Sequence, residues 1–433
     1  MKKLVSFLMM LIIILTQFAV LADQPTQVPD NLRSNNILLV DWASGKVIYE
    51  KNSAQKIQPG GISKILTAAI IINNEETLEQ NITADADAVN SYDFSLNNMG
   101  ILAGENISIK NLLYGMLLYD AGEAANVLAV HHSKSKTAFA DEMNEIAKQI
   151  GCENTYFTNP SGMPDEKQYT TLEDAAKIVK YAMKSKVFCD MVSTQSHTIS
   201  PTNKYNQTRH LNNSNKFVMN LNDNQYYNKY VTGVKTSYIS NSNCGLVITY
   251  QKESTKLLCM VMGAPYEGGV NYATSDCSKL IKYGINYFTP VKIASADEIF
   301  AEIKIKGGKE DDKVLLVAQS DFYVNLPKGY DESKIEKVIE KNKKNKAPVS
   351  EGDALGQLTV NYDGEKYGSM VLTADQTINY SAVKNLTQSI VGFFTSWIFI
   401  LVVSLLIVAF LWYTVQLNKV KRRRKFKSRF RDI

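Results

Sequence analysis

Three serines in this chain stand three residues ahead of a lysine, at Ser53/Lys56, Ser133/Lys136 and Ser381/Lys384. On a helix that spacing shares one face, so an amine can reach a hydroxyl and take its proton, the first requirement of a serine nucleophile. In a sequence this rich in serine and lysine such strings arise by chance, and none of the three sits in a context that completes a site. The four histidines, His131, His132, His197 and His210, raise a metal centre or a triad. The adjacent pair His131-His132 cannot both face one side of a helix, and surface or helix-end positions are expected. The five cysteines, Cys152, Cys189, Cys244, Cys259 and Cys277, show no Cys-x-x-Cys spacing, so neither a zinc site nor a redox motif follows. Their odd number is not a disulfide framework, and buried free thiols are expected. Tyr226, Tyr227 and Tyr230 could line a saccharide or peptide groove; packing on an edge strand is the simpler expectation. No metal and no cofactor is expected.

The framework that would position any such chemistry is legible in the apolar pattern. Ile37-Leu38-Leu39-Val40, the turn Ser44-Gly45 and Val47-Ile48-Tyr49 read as a hairpin. Residues 62 to 73 and 110 to 130 carry apolar side chains at helical spacing, and both predict buried helices. A further helix is predicted over 172 to 184, behind the capping residues Thr170-Thr171. Cys244 to Tyr250 and Lys256 to Met262 flank a polar turn around Ser254, a second hairpin rich in β-formers. Helices between an early and a late group of strands predict an α/β domain whose sheet is assembled from both ends of its sequence, ending near Pro290. From Val291 to Ile378 the pattern changes to short strands such as 303–305, 314–317 and 358–360, with turns at Gly307-Gly308 and Asp363-Gly364: a smaller β-rich domain. The lysine cluster from Lys337 to Lys346 reads as a solvated helix or loop face.

The length of 433 residues, 45% hydrophobic and 21% charged, allows two or three folded units and excludes a disordered chain. Of the net charge of +5, the first three residues carry +2 and the residues from Lys419 onward carry +8, leaving −5 on the rest. A mildly acidic body argues against a nucleic-acid-binding domain. At the N-terminus, Met1-Lys2-Lys3, a short apolar run and Val20-Leu21-Ala22 describe a secretory signal peptide cut after Ala22, rather than an uncleaved anchor. From Ile390 to Leu417 there is no charge, with Trp397, Trp412 and Tyr413 near the ends of the most apolar stretch, which predicts a transmembrane helix. The basic run that follows belongs in the cytoplasm by the positive-inside rule, so the body faces outward.

Taken in order, Ile37 to Asp41 with Gly45 to Asn52, Pro59 to Ala68, Thr158-Asn159-Pro160-Ser161-Gly162-Met163-Pro164-Asp165, Gly233-Val234-Lys235-Thr236 and Met262-Gly263-Ala264-Pro265 resemble the D-alanyl-D-alanine carboxypeptidases, the low-molecular-mass penicillin-binding proteins. The similarity spans roughly residues 30 to 290 and keeps the family's order and spacing. It implies a β-lactamase/transpeptidase-like domain, a sheet plus a helical cluster, followed by the β-rich domain and one C-terminal membrane helix. In that family a serine in Ser-x-x-Lys at a helix start attacks the D-Ala-D-Ala bond and the lysine takes its proton. Ser-x-Asn and Lys-Thr-Gly elements complete the site.

On the residues that match, this chain departs from the pattern. Lys64 stands at the general-base position, but the nucleophile position holds Gly61, which has no side chain to attack with. Ser63 would be turned about 200° from that direction on a helix. Asp120 and Gly122 occupy the Ser and Asn positions of the second element, and Asp120 could pair with Lys64 or Lys235. Lys235, Thr236 and Ser237 stand for Lys-Thr-Gly, with serine in place of glycine. Val270 takes the place of the arginine that anchors the substrate carboxylate. Four departures with the scaffold segments kept imply a retained fold and lost chemistry.

The expectation is therefore a domain order of signal peptide 1–22, carboxypeptidase-like domain 23–290, β-rich domain 291–380, membrane helix 390–417 and cytoplasmic tail 418–433. The protein is expected to be a membrane-anchored, outward-facing pseudoenzyme that binds a peptidoglycan stem peptide or an envelope protein. An active carboxypeptidase, for instance through a lysine-activated water, and a structural scaffold are the rival readings.

Overall fold

The computed structural model describes residues 29–308, 313–342, 345–381 and 396–429, with side chains to Arg422. The signal-peptide segment lies outside these residues. Residues 29–293 belong to one compact unit, together with 322–337 and 359–369; the second takes the described residues within 294–321 and 338–358 and those from 370 to 429.

The first unit is built on a five-stranded antiparallel sheet. Its strands are β1 (Asn36–Asp41), β2 (Val47–Lys51), β3 (Val231–Ser240), β4 (Asn243–Lys252) and β5 (Thr255–Ala264), in the order β2-β1-β5-β4-β3. The early hairpin thus sits beside the late one, with Leu38 opposite Met260 and Leu39 opposite Cys259. Alternate residues point to opposite faces. Leu38, Val247 and Met260 enter the helical core; Ile37, Leu39, Ile248 and Cys259 enter a second core on the other face. Both faces are therefore covered, which is why these strands read as nearly continuous apolar runs.

The helices on the first face are α1 (Gly61–Asn74), α2 (Ile109–Leu118), α3 (Gly122–Ser133), α4 (Lys136–Gln149), α5 (Leu172–Ala182) and α6 (Lys186–Ser193); α7 (Tyr272–Tyr287) covers the other face. The residues of α1 are buried from Gly61 to Ile71. Thr171 caps α5 by accepting a hydrogen bond from the Asp174 amide, as its position predicts. The single helix predicted over 110 to 130 is instead two. Asp120 adopts φ 65°, a left-handed conformation no helix can continue through, and α3 restarts at Gly122.

The β-rich region contains β6 (Ile299–Lys304), β7 (Lys313–Ala318), β8 (Ile335–Lys341), β9 (Ala354–Tyr362) and β10 (Glu365–Ala374), in the order β6-β7-β10-β9-β8. Asp363 and Gly364, at φ 52° and 80°, make the tight turn between β9 and β10. The expected solvated helix or loop at the lysine cluster is in part strand β8, whose Lys337 and Lys341 reach the carbonyls of Ile293 and Glu302. The strand is largely exposed and shows no period-two pattern, since its two half-buried residues, Ile335 and Val338, lie three apart. The helix α8 (Trp397–Arg429) contains a stretch, Trp397–Arg422, long and apolar enough to cross a bilayer by length and composition.

Candidate active site

The N-terminus of α1 is pressed against β3. Gly60, at φ 49°, precedes the helix without a side-chain cap of its own; the Gly61 amide donates instead to Ser237 Oγ at 2.9 Å. A Cβ built on Gly61 would lie 2.6 Å from the Thr236 carbonyl oxygen, and one on Gly60 would lie 2.3 Å from Ser237 Oγ. The space beside Gly61, where the resemblance leads one to expect a nucleophile, is thus closed by backbone as well as lacking a side chain. Gly162, at φ 73°, backs onto the same turn: a Cβ there would sit 1.9 Å from the Gly60 carbonyl oxygen. This close approach explains why the Ser161-Gly162 segment belongs to the framework. Ser63 is fully buried and its hydroxyl has no partner among the described residues.

One turn into α1, Lys64 Nζ lies 3.1 Å from Asp120 Oδ1. Lys235, on β3, brings its Nζ to 2.6 Å from the same oxygen. Both contacts are ion pairs without hydrogen-bond alignment. Asn97 Nδ2 approaches the other carboxylate oxygen at 3.3 Å. Lys64, Asp120 and Lys235 are 6%, 2% and 2% exposed, so one carboxylate joins two ammonium groups away from water. The left-handed turn between α2 and α3 carries Asp120 to this junction. Burial pushes the Asp120 carboxyl up, but the ammonium groups of Lys235 and Lys64 outweigh it and hold it below its ordinary value. Burial drives Lys235 down to about 8, against the pull of Asp120 and helped by repulsion from Lys64.

At Gly122 the position of the third residue of the second element is filled from outside, since a Cβ there would meet the Tyr92 ring at 2.3 Å. Tyr92 is itself tied by its hydroxyl to the Asn97 carbonyl. Thr236 Oγ1 and Ser214 Oγ share a hydrogen bond of 2.5 Å. Val270 is exposed on the small hairpin Tyr266–Glu267/Val270–Asn271 and does not line the cavity at the site. That cavity, bounded among others by Gly60, Gly61, Lys64, Asp120 and Ser161, measures about 10 Å³. It has room for about one water. Sequence reasoning missed Tyr92 and Asn97, for which no local signal exists, and the place of Ser161 on the cavity wall.

The other candidates resolve into structural roles. Ser53 binds Glu50 and Glu173 while Lys56 lies over the Tyr169 ring. Ser133 binds Glu142 and Lys136 binds Ser91; Lys384 lies outside the described residues. His131 and His132 end α3 as expected, yet both approach Glu75, His131 its Oε2 at 4.0 Å and His132 its Oε1 at 3.1 Å. His197 is half-buried, stacked on Tyr114, and His210 is exposed. The three tyrosines lie on the loop before β3, where Tyr226 packs on Phe217 and Tyr230 on Tyr250, rather than on an edge strand. Of the cysteines, Cys244, Cys259 and Cys277 are buried, whereas Cys152 and Cys189 are half-buried. Among the described residues no group of three or more His, Cys, Asp and Glu side chains is arranged to hold a metal.

Comparison with known proteins bears on the whole arrangement. Residues 288–380 match the family model of the penicillin-binding protein 5 C-terminal domain. The D-alanyl-D-alanine carboxypeptidase DacF of Bacillus subtilis (strain 168) is 26% identical over 84% of this chain and 92% of its own length. DacA of Haemophilus influenzae is 26% identical over 79% of this chain and 84% of its own. In fold, the chain is similar to penicillin binding protein 5 from Haemophilus influenzae, with a TM-score of 0.65 at 24% identity, covering 81% of this chain and all but 1% of that one. A peptidoglycan synthesis regulatory factor (PBP3) from Streptococcus pneumoniae gives the same TM-score at 20% identity, over 81% of this chain. Residues 22–266, more than half of the chain, match the family model of the D-alanyl-D-alanine carboxypeptidases, and the chain belongs to that family.

Proposed function

We propose that this chain is a non-hydrolysing member of the family: a single-pass envelope protein, with a cleaved signal peptide, residues 23–380 outside the membrane and a basic cytoplasmic tail. It binds a peptidoglycan stem peptide or an envelope protein rather than cutting one. The observation that carries this reading is the contact between Gly61 and β3. Acyl transfer of the serine type needs a hydroxyl beside a base. Lys64 is there, but the neighbouring position holds no side chain and has a backbone carbonyl 2.6 Å from where a Cβ would sit. Lys64 Nζ also lies 3.1 Å from Asp120 Oδ1, the oxygen it shares with Lys235, so it is engaged in an ion triad. The family membership supports an envelope setting and a wall-peptide ligand, and the Trp397–Arg422 helix supports the anchor.

The test uses the full chain in detergent micelles. It is incubated with a fluorescent penicillin and, separately, with a peptide ending in D-Ala-D-Ala while free D-alanine is assayed. Neither covalent labelling nor D-alanine release is expected. Labelling together with release, both surviving Ser63→Ala, would establish an active carboxypeptidase and end the pseudoenzyme reading.

A further inference from the structure

The face of the sheet opposite the candidate site holds a feature that the ion triad does not use. Cys259 on β5 and Cys277 on α7 are 18 residues apart, and their sulfurs stand 3.7 Å from each other. Both side chains are wholly buried in the apolar layer that β1, β4 and β5 form with α7, among Ile37, Leu246, Ile248 and Leu280. The other thiols point only at protein atoms other than a thiol, Cys152 at the Asp174 carbonyl, Cys189 at the Met183 carbonyl and sulfur, and Cys244 at the Ser240 carbonyl, while Cys277 Sγ also lies 3.9 Å from the Leu246 carbonyl oxygen. Among the described residues this is the one pair of thiols in contact. A disulfide requires sulfurs about 2.05 Å apart, so side-chain rotation has to close the remaining gap.

We propose that Cys259 and Cys277 are a dithiol that oxidises specifically to a disulfide joining β5 to α7. In the balanced step, one cysteine thiolate attacks a donor disulfide, such as glutathione disulfide, and releases one donor thiolate. The second cysteine thiolate then attacks the mixed disulfide and releases the other. Two protein thiols and one donor disulfide thereby become one protein disulfide and two donor thiols. Because both sulfurs are enclosed, the exchange belongs to folding, before α7 closes over the sheet. Burial afterwards keeps the Cys277 thiol far from its reactive thiolate form, which makes exchange slow in the folded chain. The pairing itself does not depend on the outward placement proposed above; its occurrence in the cell does.

The full chain in detergent is reduced, unfolded, and refolded in a glutathione/glutathione disulfide mixture. Free thiols are trapped with N-ethylmaleimide before digestion and mass spectrometry. The expected result is a peptide pair linked through Cys259 and Cys277, with Cys152, Cys189 and Cys244 alkylated. The refolded protein should also melt several degrees higher than the same sample with reductant. Alkylation of both Cys259 and Cys277 without prior reduction, or linkage of either to another cysteine, overturns the proposal. The same trapping on protein taken directly from cells separates the two readings. Linked cysteines support both, whereas pairing on refolding with free thiols in the cell upholds the pair and counts against the outward placement.

Discussion

Asp120 is the residue on which the interior of the site depends, and Asp120→Asn tests how. The substitution keeps the shape and removes the charge, leaving the Lys64 and Lys235 ammonium groups, 6% and 2% exposed, without a counter-ion. Breaking a buried pair by removing one partner costs about 3–5 kcal/mol. For a unit of this size that lowers the melting midpoint by on the order of 10 °C. The pH dependence gives the mechanism its sign. Lys235 is driven from 10.5 to about 8, so between those values the unfolded chain binds more protons than the folded one and stability rises with pH, by roughly 3 kcal/mol in all. Asp120 acts at the other end: its carboxyl is held below 3.8, so its contribution is present above that pH and is lost as pH falls through the folded value. In the Asn variant the attraction holding the Lys235 proton is gone, so the penalty is largest near pH 7 and shrinks by pH 10 as the lysine is neutralised. Melting of the full chain in detergent, followed by circular dichroism at pH 7 and pH 10, measures this. A companion, Asp120→Asn with Lys235→Met, removes the more deeply buried of the two unpaired charges and leaves Lys64, so it should recover part of the loss. An equal penalty at both pH values would show that shape and not charge is responsible. No penalty at pH 7 would refute the triad as a stabilising element.

Three further outcomes follow from the same geometry. Gly61→Ser should not restore penicillin labelling and should lower stability by about 1–3 kcal/mol, since its Cβ meets the Thr236 carbonyl oxygen at 2.6 Å; labelled-gel and melting measurements read both effects. Gly162→Ala combines left-handed backbone with a collision against the Gly60 carbonyl, and a loss of at least about 2 kcal/mol in urea unfolding is expected. Thr171→Ala removes only the cap of α5, so about 1 kcal/mol should be lost and the variant should otherwise behave as the parent.

The hairpins, α1 and α5 were legible because their signals are local. A short continuous apolar run shows in Ile37 to Val40, helical spacing in Ile62, Ile65 and Leu66, and a cap in Thr171 ahead of Leu172. The break between α2 and α3 was not, because apolar residues continue at helical spacing on both sides and only the φ of Asp120 interrupts them. The lysine-rich β8 was misread because it carries no period-two pattern: its half-buried residues, Ile335 and Val338, lie three apart among charged ones.

At the site, the residue types alone determined that no hydroxyl stands at position 61 and that a carboxylate stands at position 120. They also bounded the partners of Asp120 to Lys64 or Lys235. Only the tertiary structure decided that both lysines converge on one carboxylate oxygen, that β3 closes the space beside Gly61, and that Tyr92 fills the space beside Gly122. Those contacts join residues 30 to 176 positions apart, and no local propensity encodes how closely the layers of a folded core approach.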